Sequence, residues 1–66
     1  MTVTVNGASR ELAEGMTISD LLVELGLGSG WVVVEVNREV VDRGALSSRV
    51  LADCEVVEIV KAVAGG

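Results

Sequence analysis

The chain closes with Val56-Val57-Glu58-Ile59-Val60-Lys61-Ala62-Val63-Ala64-Gly65-Gly66, a β-branched segment followed by small residues. The first part of this stretch has the composition of a buried strand. Gly65 and Gly66 carry no Cβ, so their backbone bends freely and passes through narrow spaces. The stretch therefore predicts one folded domain over residues 1–60, with its last strand at 56–60. Residues 61–66 are predicted to be a flexible tail that presents the Gly66 carboxylate.

Length and composition limit how the rest of the chain folds. A chain of 66 residues forms one small domain with a thin core. One cysteine and no histidine exclude an intramolecular disulfide and disfavour a zinc site, so we expect no bound metal or cofactor. Hydrophobic residues make up 50% of the chain. Because so small a body cannot bury all of them, we expect an apolar partner-binding patch on the surface.

The charge and the hydropathy pattern restrict the partners and the compartment. A net charge of −5 disfavours nucleic acid, which requires clustered Lys and Arg, and favours basic protein partners. The longest apolar run, Trp31 to Val34, is far shorter than the roughly 20 residues that span a bilayer. The amino terminus lacks a signal-peptide pattern. We therefore predict a cytoplasmic protein with neither a membrane nor a nucleic-acid partner.

The first part of the chain predicts a hairpin. Residues 2–5 alternate polar and apolar side chains, which is the period of a half-buried strand. Asn6-Gly7 favours a type I′ turn because both residues tolerate a positive φ. Residues 8–12 then return as the second strand of the hairpin.

A single helix is predicted after residue 16. Thr17 is a suitable N-cap, and Asp20 stands three residues on, as in a capping box. Gly26 stands where a helix commonly ends in a left-handed residue. The apolar residues recur at the spacing of one helix face, which we expect to be core: Ile18, Leu21, Leu22 and Leu25.

The second half predicts further strands. Residues 31–36 form a β-branched strand, 37–39 a tight turn and 40–41 a short returning strand. Residues 42–51 are predicted to be irregular with one helical turn near residues 45–48, and Asp53-Cys54 makes a turn before the last strand. This order predicts an α+β fold in two layers, a mixed four- to five-stranded sheet with one main helix on one face.

Taken together, these residues resemble a known family. The order of elements, residues 34–41, Val57-Glu58-Ile59-Val60 and the terminal Ala64-Gly65-Gly66 are similar to the ThiS family, the sulfur carriers of thiamine biosynthesis. The resemblance covers essentially the whole chain and implies a ubiquitin-like β-grasp fold. The chain departs from the family pattern at Asp53-Cys54, where a glycine is common, and at Ala64, where glycine is also seen.

The resemblance also implies a reaction cycle in which the chain is a substrate rather than an enzyme. An E1-like adenylyltransferase of the ThiF type would use ATP to activate the Gly66 carboxylate, with Ala64 and Gly65 threading into its site. Sulfur from a cysteine desulfurase would replace AMP and leave a thiocarboxylate. A thiazole synthase of the ThiG type would then take the sulfur.

Two alternative functions remain open. The nearest alternative is another β-grasp sulfur carrier, either of the molybdopterin synthase small-subunit type or feeding another sulfur pathway. The molybdopterin type is generally longer and carries aromatic and proline residues near its tail. This chain has no Phe and no Pro, which favours the thiamine type. A ubiquitin-like modifier would instead form isopeptide conjugates on lysines.

Three side-chain roles complete the predictions. Cys54 is interpreted as a small turn residue rather than as a sulfur-bearing group. Trp31 is interpreted as a packing residue that closes one end of the sheet rather than as an interface anchor. One helix covers only one sheet face, so either Val56, Glu58 and Val60 or Val57 and Ile59 point outward. The sequence leaves that choice open.

Overall fold

The protein is described here from a computed structural model, which covers residues 1–28 and 31–61. The elements in chain order are β1 (Thr2–Val5), β2 (Ala8–Glu11), α1 (Ile18–Glu24), β3 (Val32–Val36), β4 (Glu39–Val40), a 3₁₀ turn (Arg43–Ala45) and β5 (Val56–Lys61). The five strands form one sheet in the order β2-β1-β5-β3-β4. Strand β1 is parallel to β5, and the other pairings are antiparallel. The predicted α+β arrangement of a mixed sheet with one main helix is confirmed.

Both hairpins turn through residues with positive φ. Asn6 and Gly7 have φ of 48° and 83°, which confirms the left-handed pair expected of a type I′ turn. Asn37 and Arg38 have φ of 51° and 70° and connect β3 to β4 in the same way. Because these two residues are the centre of the turn, the returning strand begins at Glu39, one residue earlier than predicted.

Helix α1 begins at the predicted cap. The Thr17 hydroxyl accepts a hydrogen bond from the Asp20 amide at 3.1 Å, and the Thr17 amide donates to the Asp20 carboxylate at 3.0 Å. The helix ends at Leu25, and Gly26 follows with a φ of 78°. Ile18, Leu21 and Leu22 are buried, and Leu25 at the C-cap is partly buried against the core, so the predicted apolar stripe is confirmed, with Leu25 at its edge.

The core lies between α1 and one face of the sheet, which we call the inner face. Its strand residues are Val3 and Val5 from β1, Val32, Val34 and Val36 from β3, and Val57 and Ile59 from β5. Leu12 and Leu51 close the cluster from the loops. No charged or polar residue is buried within the described part of the chain.

Besides the shift of β4, three strand boundaries and the helical turn differ from the prediction. Strand β2 ends at Glu11, one residue before the predicted end. Strand β3 begins at Val32 rather than Trp31, and β5 runs one residue beyond Val60, to Lys61, which pairs with Val32. The 3₁₀ turn falls at 43–45, slightly before the predicted 45–48, and hydrogen bonds from the Ser48 and Arg49 amides to the Ala45 carbonyl continue it.

Candidate functional site

The predicted reacting group lies at the end of the chain. Gly66, together with Gly65 and Ala64, which were predicted to thread into a partner, lies outside the described residues. The structure does describe β5, the strand that precedes these residues, as far as Lys61. The candidate site is therefore built from β5 and the surface around it.

Strand β5 lies at the centre of the sheet and is held from both sides. Its Val57 is completely buried, and it pairs with β1 on one side and with β3 on the other. A central strand buried on one face opens only with the whole domain. Val57 is thus held by strand pairing on both sides and Val56 by pairing with β1, whereas among the described strands residues 58–61 pair with β3 alone.

Two asparagines from the hairpin turns add side-chain bonds to β5. Asn6 Oδ1 accepts from the Ile59 amide at 2.7 Å, and Asn6 Nδ2 donates to the Ile59 carbonyl at 3.2 Å. Asn37 Oδ1 accepts from the Val56 amide at 3.0 Å. The Asn6 amide group therefore continues the β1–β5 ladder beyond the last residue of β1. The sequence predicts Asn6 only as a turn residue, because a single sequence does not show the contact between Asn6 and Ile59.

The face of the sheet opposite α1 is exposed, and we call it the outer face. Burial decides the choice that the sequence left open: Val57 and Ile59 point to the core, whereas Val56, Glu58 and Val60 point outward. The strand positions of the outer face are Thr2, Thr4, Ser9, Glu11, Val33, Glu35, Val40, Val56, Glu58 and Val60.

Four exposed valines form an apolar area on the outer face, which we call the valine patch. Val33 and Val60 are directly opposite each other on β3 and β5. Val40 is 68% exposed next to Glu35, and Val56 is exposed at the start of β5. The expected apolar area on the surface is therefore present, and two of its four valines lie on β5, the strand that leads to the carboxyl terminus.

A pair of glutamates lies within the valine patch. Glu35 on β3 and Glu58 on β5 are directly opposite partners in the antiparallel register. Side chains in such positions point the same way, with Cβ atoms about 5 Å apart. Neither carboxylate forms an ion pair with any of the described residues. Sequence reasoning missed this pairing because it depends on the register between strands that are distant in the chain.

Trp31 does not pack into the core, so its predicted packing role is wrong. Its side chain is 65% exposed, and the Arg43 guanidinium lies over its ring at 3.5 Å from the centroid. Strand β3 begins only at Val32, whose side chain is buried, so Trp31 lies before the strand and next to the first residue that points to the core. A cleft of about 190 Å³ lies beside it, lined among others by Val33, Val40 and Leu46.

Cys54 is exposed and forms part of the turn before β5. It has a φ of 68°, the left-handed conformation that a glycine adopts at lower cost. A hydrogen bond from its thiol to the Asp53 carboxylate at 3.5 Å and the charge of that carboxylate raise the pKa of Cys54. Because the thiolate is the nucleophilic form, this environment disfavours a sulfur-transfer role and agrees with the interpretation as a turn residue.

Neither a metal centre nor a membrane span is evident in the described part of the chain. The described Cys, Asp and Glu side chains form no group of three or more that could hold a metal ion. Within residues 1–28 and 31–61, no helix has the length and apolar content that crossing a bilayer requires.

The comparison with protein families identifies this architecture. The model of the ThiS family matches residues 3–66. The chain belongs to the ThiS family. The resemblance seen in the terminal Gly-Gly and the β5 pattern is thereby confirmed over nearly the whole chain.

Solved structures of a ThiS protein have the same fold. The crystal structure of the thiamine biosynthesis protein ThiS from Geobacter metallireducens is 33% identical, covers all of both chains and gives a TM-score of 0.83. A solution structure of a thiamine biosynthesis protein from the same organism gives 0.80, covering 100% of this chain and 88% of the other. The fold is the ubiquitin-like β-grasp of the ThiS family, as the resemblance implied.

Similar sequences also occur within larger proteins. The chain is 36% identical over 66 residues to a thiazole synthase of Paramagnetospirillum magneticum and 35% identical over 66 residues to one of Magnetococcus marinus. It spans 20% of the length of each of these relatives. In both proteins, a region similar to this chain is thus joined to a longer one.

Proposed function

We propose that this ThiS-family chain is a sulfur carrier of thiamine biosynthesis, in which the Gly66 carboxylate becomes a thiocarboxylate that donates sulfur for thiazole formation. The observation that carries this proposal is the family match that extends to the terminal Gly-Gly. The likeness to a ThiS protein over the whole of both chains supports it.

The chemistry explains why a terminal carboxylate requires partner enzymes. A carboxylate is a poor acyl donor because oxide is a very poor leaving group. An E1-like adenylyltransferase of the ThiF type converts it with ATP into an acyl-adenylate and releases pyrophosphate. A persulfide formed by a cysteine desulfurase then attacks the acyl carbon, and AMP leaves. A second thiol attacks the resulting acyl disulfide, which releases the thiocarboxylate and leaves a disulfide between the two thiol sulfurs. The carrier is a co-substrate in these steps, and none of its side chains takes part in bond making.

The fold suits this role because a rigid strand leads to the reacting end. Strand β5 pairs with β1 at Val56 and Val57, bonds the Asn6 side chain at Ile59, and pairs with β3 as far as Lys61. The five residues that follow β5, 62–66, reach at most about 17 Å when fully extended. That length allows the acyl carbon to enter a nucleotide site while the folded body stays outside.

Thiazole synthase is proposed as the sulfur acceptor. Two proteins named thiazole synthase contain a region similar to this chain, and covalent joining of two regions is consistent with their acting together. Because activation consumes ATP, we place the cycle in the cytoplasm.

The proposal is tested by the intact mass of the protein from sulfur-replete cells. Exchange of one terminal oxygen for sulfur adds about 16 Da, and the added mass should be located on the C-terminal peptide that contains Gly66. A Gly66 deletion should abolish the mass shift and leave the melting temperature unchanged, because a terminal residue beyond the last strand contributes little to stability.

Three outcomes would contradict the proposal. They are a fully unmodified terminus, conjugates on lysine side chains, and a thiocarboxylate that molybdopterin synthase consumes but thiazole synthase does not. The last outcome would assign the chain to the molybdopterin pathway.

A further inference from the structure

The outer face combines apolar exposure with negative charge in a way that the fold itself does not require. The Val33–Val60 pair lies beside the Glu35–Glu58 pair in the register of β3 and β5. Like charges directly opposite each other on a sheet destabilise it. Exposed valines contribute little to a core on the other side. Both features are costs to the folded monomer, so their placement together suggests a role in binding.

We propose that the outer face is a protein-docking surface whose partner places one Lys or Arg side chain between Glu35 and Glu58 and apolar side chains on the valine patch. This inference rests on the proposed function, because it assigns the docking site of the carrier's enzymes. It adds the chemistry by which they recognise it.

The charge distribution favours a cationic occupant. The strand positions of the outer face carry three carboxylates, Glu11, Glu35 and Glu58, and no basic residue. Of these three, Glu11 lies near the amino terminus, and the other ion pair of the described residues joins Arg49 to Glu55, so neither ion pair involves Glu35 or Glu58. Glu35 and Glu58 therefore present two acceptors for a planar guanidinium or an ammonium group.

The valines explain why such a contact would be strong. Glu58 lies between Val56 and Val60 along β5, and Glu35 is flanked by Val33 along β3 and by Val40 across to β4. When a partner covers these valines, water is excluded from the carboxylates, and the charge attraction increases as the local dielectric constant falls. Apolar contact and charge recognition thus act on the same few residues.

The same pattern disfavours the other occupants of an exposed sheet face. In a symmetric dimer through this face, the acidic pair of one copy would face the acidic or apolar residues of the other. Anionic lipid headgroups and nucleic-acid phosphates would be repelled by the carboxylates. A protein surface with an apolar rim and one cation matches both features.

The test compares two double variants of the full chain that change the net charge equally. Glu35→Gln/Glu58→Gln neutralises the acidic pair, whereas Glu14→Gln/Glu24→Gln neutralises two exposed carboxylates away from the outer face. Calorimetry measures the dissociation constant of each for purified thiazole synthase and for the purified E1-like adenylyltransferase of the same organism. The melting temperature of each variant shows that it is folded.

For at least one enzyme, the outer-face double variant should bind about tenfold more weakly than the wild type, with the control within about twofold of it. Between about 50 mM and about 300 mM salt, the wild-type affinity should fall more steeply than that of the outer-face variant. Val33→Thr/Val60→Thr, which keeps the side-chain shape, should also weaken binding.

The outcomes separate the two proposals. Equal affinities of the two Gln double variants, with intact wild-type binding, would overturn the docking inference and leave the carrier function standing. Dimerisation through the outer face in sedimentation experiments would overturn it as well. If the wild type is not thiocarboxylated and binds neither enzyme, both the function and the inference that rests on it are overturned.

Discussion

Val33 and Val34 are neighbours on β3, yet Val34 is 1% exposed under α1 and Val33 is 45% exposed on the outer face. The same contrast recurs on β5 between Val57 and Val60. On the inner face, valines remove apolar area from water, at about 25 cal/mol per Å². On the outer face they leave it exposed beside a repulsive pair of carboxylates. The comparison teaches that one face carries the stability of the domain and the other is available for recognition.

The largest difference in stability should appear between a change in the core and a change on the outer face. Leu22 is buried on α1 against the inner face. Leu22→Ala should lower the free energy of unfolding by about 2–5 kcal/mol, because the surrounding core cannot fill the cavity. Val60→Thr on the outer face keeps a β-branched shape and should change stability by about 0.5 kcal/mol or less. Urea denaturation at constant pH measures both. Equal losses of stability in the two variants would contradict the conclusion that the inner face, and not the outer face, stabilises the domain.

A smaller effect is expected where β5 is held by side-chain amides rather than by burial. Asn6→Gly keeps the positive φ but removes both bonds to Ile59, leaving its amide unsatisfied, which should cost about 1–3 kcal/mol. Asn37→Gly removes one bond to the more exposed Val56 and should cost less. Hydrogen exchange at the Ile59 amide should accelerate in the first variant. Unchanged exchange would show that Asn6 does not stabilise the strand before the tail.

The structure also shows which features a single sequence reveals. The period of Ile18, Leu21 and Leu22, the Thr17 cap and the Asn6-Gly7 turn are local patterns, and each predicted its element. The Glu35–Glu58 opposition and the Asn6–Ile59 bonds depend on contacts between distant segments. Only the register of the folded sheet defines them.

Trp31 shows a different limit of sequence reasoning. A large aromatic residue at the edge of an apolar run has the composition of core, but its burial depends on whether the helix reaches it. In the fold, it precedes β3 and contacts the Arg43 guanidinium instead. For the site, the residues at 64–66 were marked by their sequence alone, and their assignment stays a prediction.

A third prediction concerns Glu55, which has a cation as its neighbour, whereas Glu58 on the outer face lies opposite another carboxylate. Glu55, just before β5, accepts a hydrogen bond from Arg49 at 3.0 Å, which lowers the pKa of Glu55. Because the folded-state pKa lies below the unfolded one of about 4.3, the pair stabilises the fold above that pH. The stabilisation is lost as the pH falls through the folded-state pKa.

In Glu55→Gln, which has no carboxylate to protonate at this position, the free energy of unfolding should decrease less with falling pH than in the wild type. Since Arg49 is partly exposed, the effect should be about 1 kcal/mol or less. Thermal unfolding of both proteins between about pH 3 and pH 7 measures it, because the window must span the unfolded pKa of Glu. A variant that loses stability with falling pH as steeply as the wild type would show that the ion pair contributes nothing.

The smallest effect has the opposite sign and tests the outer face directly. Glu58→Thr removes one of two opposed carboxylates and introduces a β-branched residue between Val56 and Val60, so it should raise stability by a few tenths of a kcal/mol. Glu24→Thr, at an exposed helix position, is the control and should be slightly destabilising, since Thr is a poorer helix former than Glu. A gain at position 58 accompanied by weaker binding of the partner enzymes would show that this face holds charge for recognition at the expense of stability. A loss of stability at that position would mean that Glu58 supports the fold, and the contrast between the two faces would no longer hold.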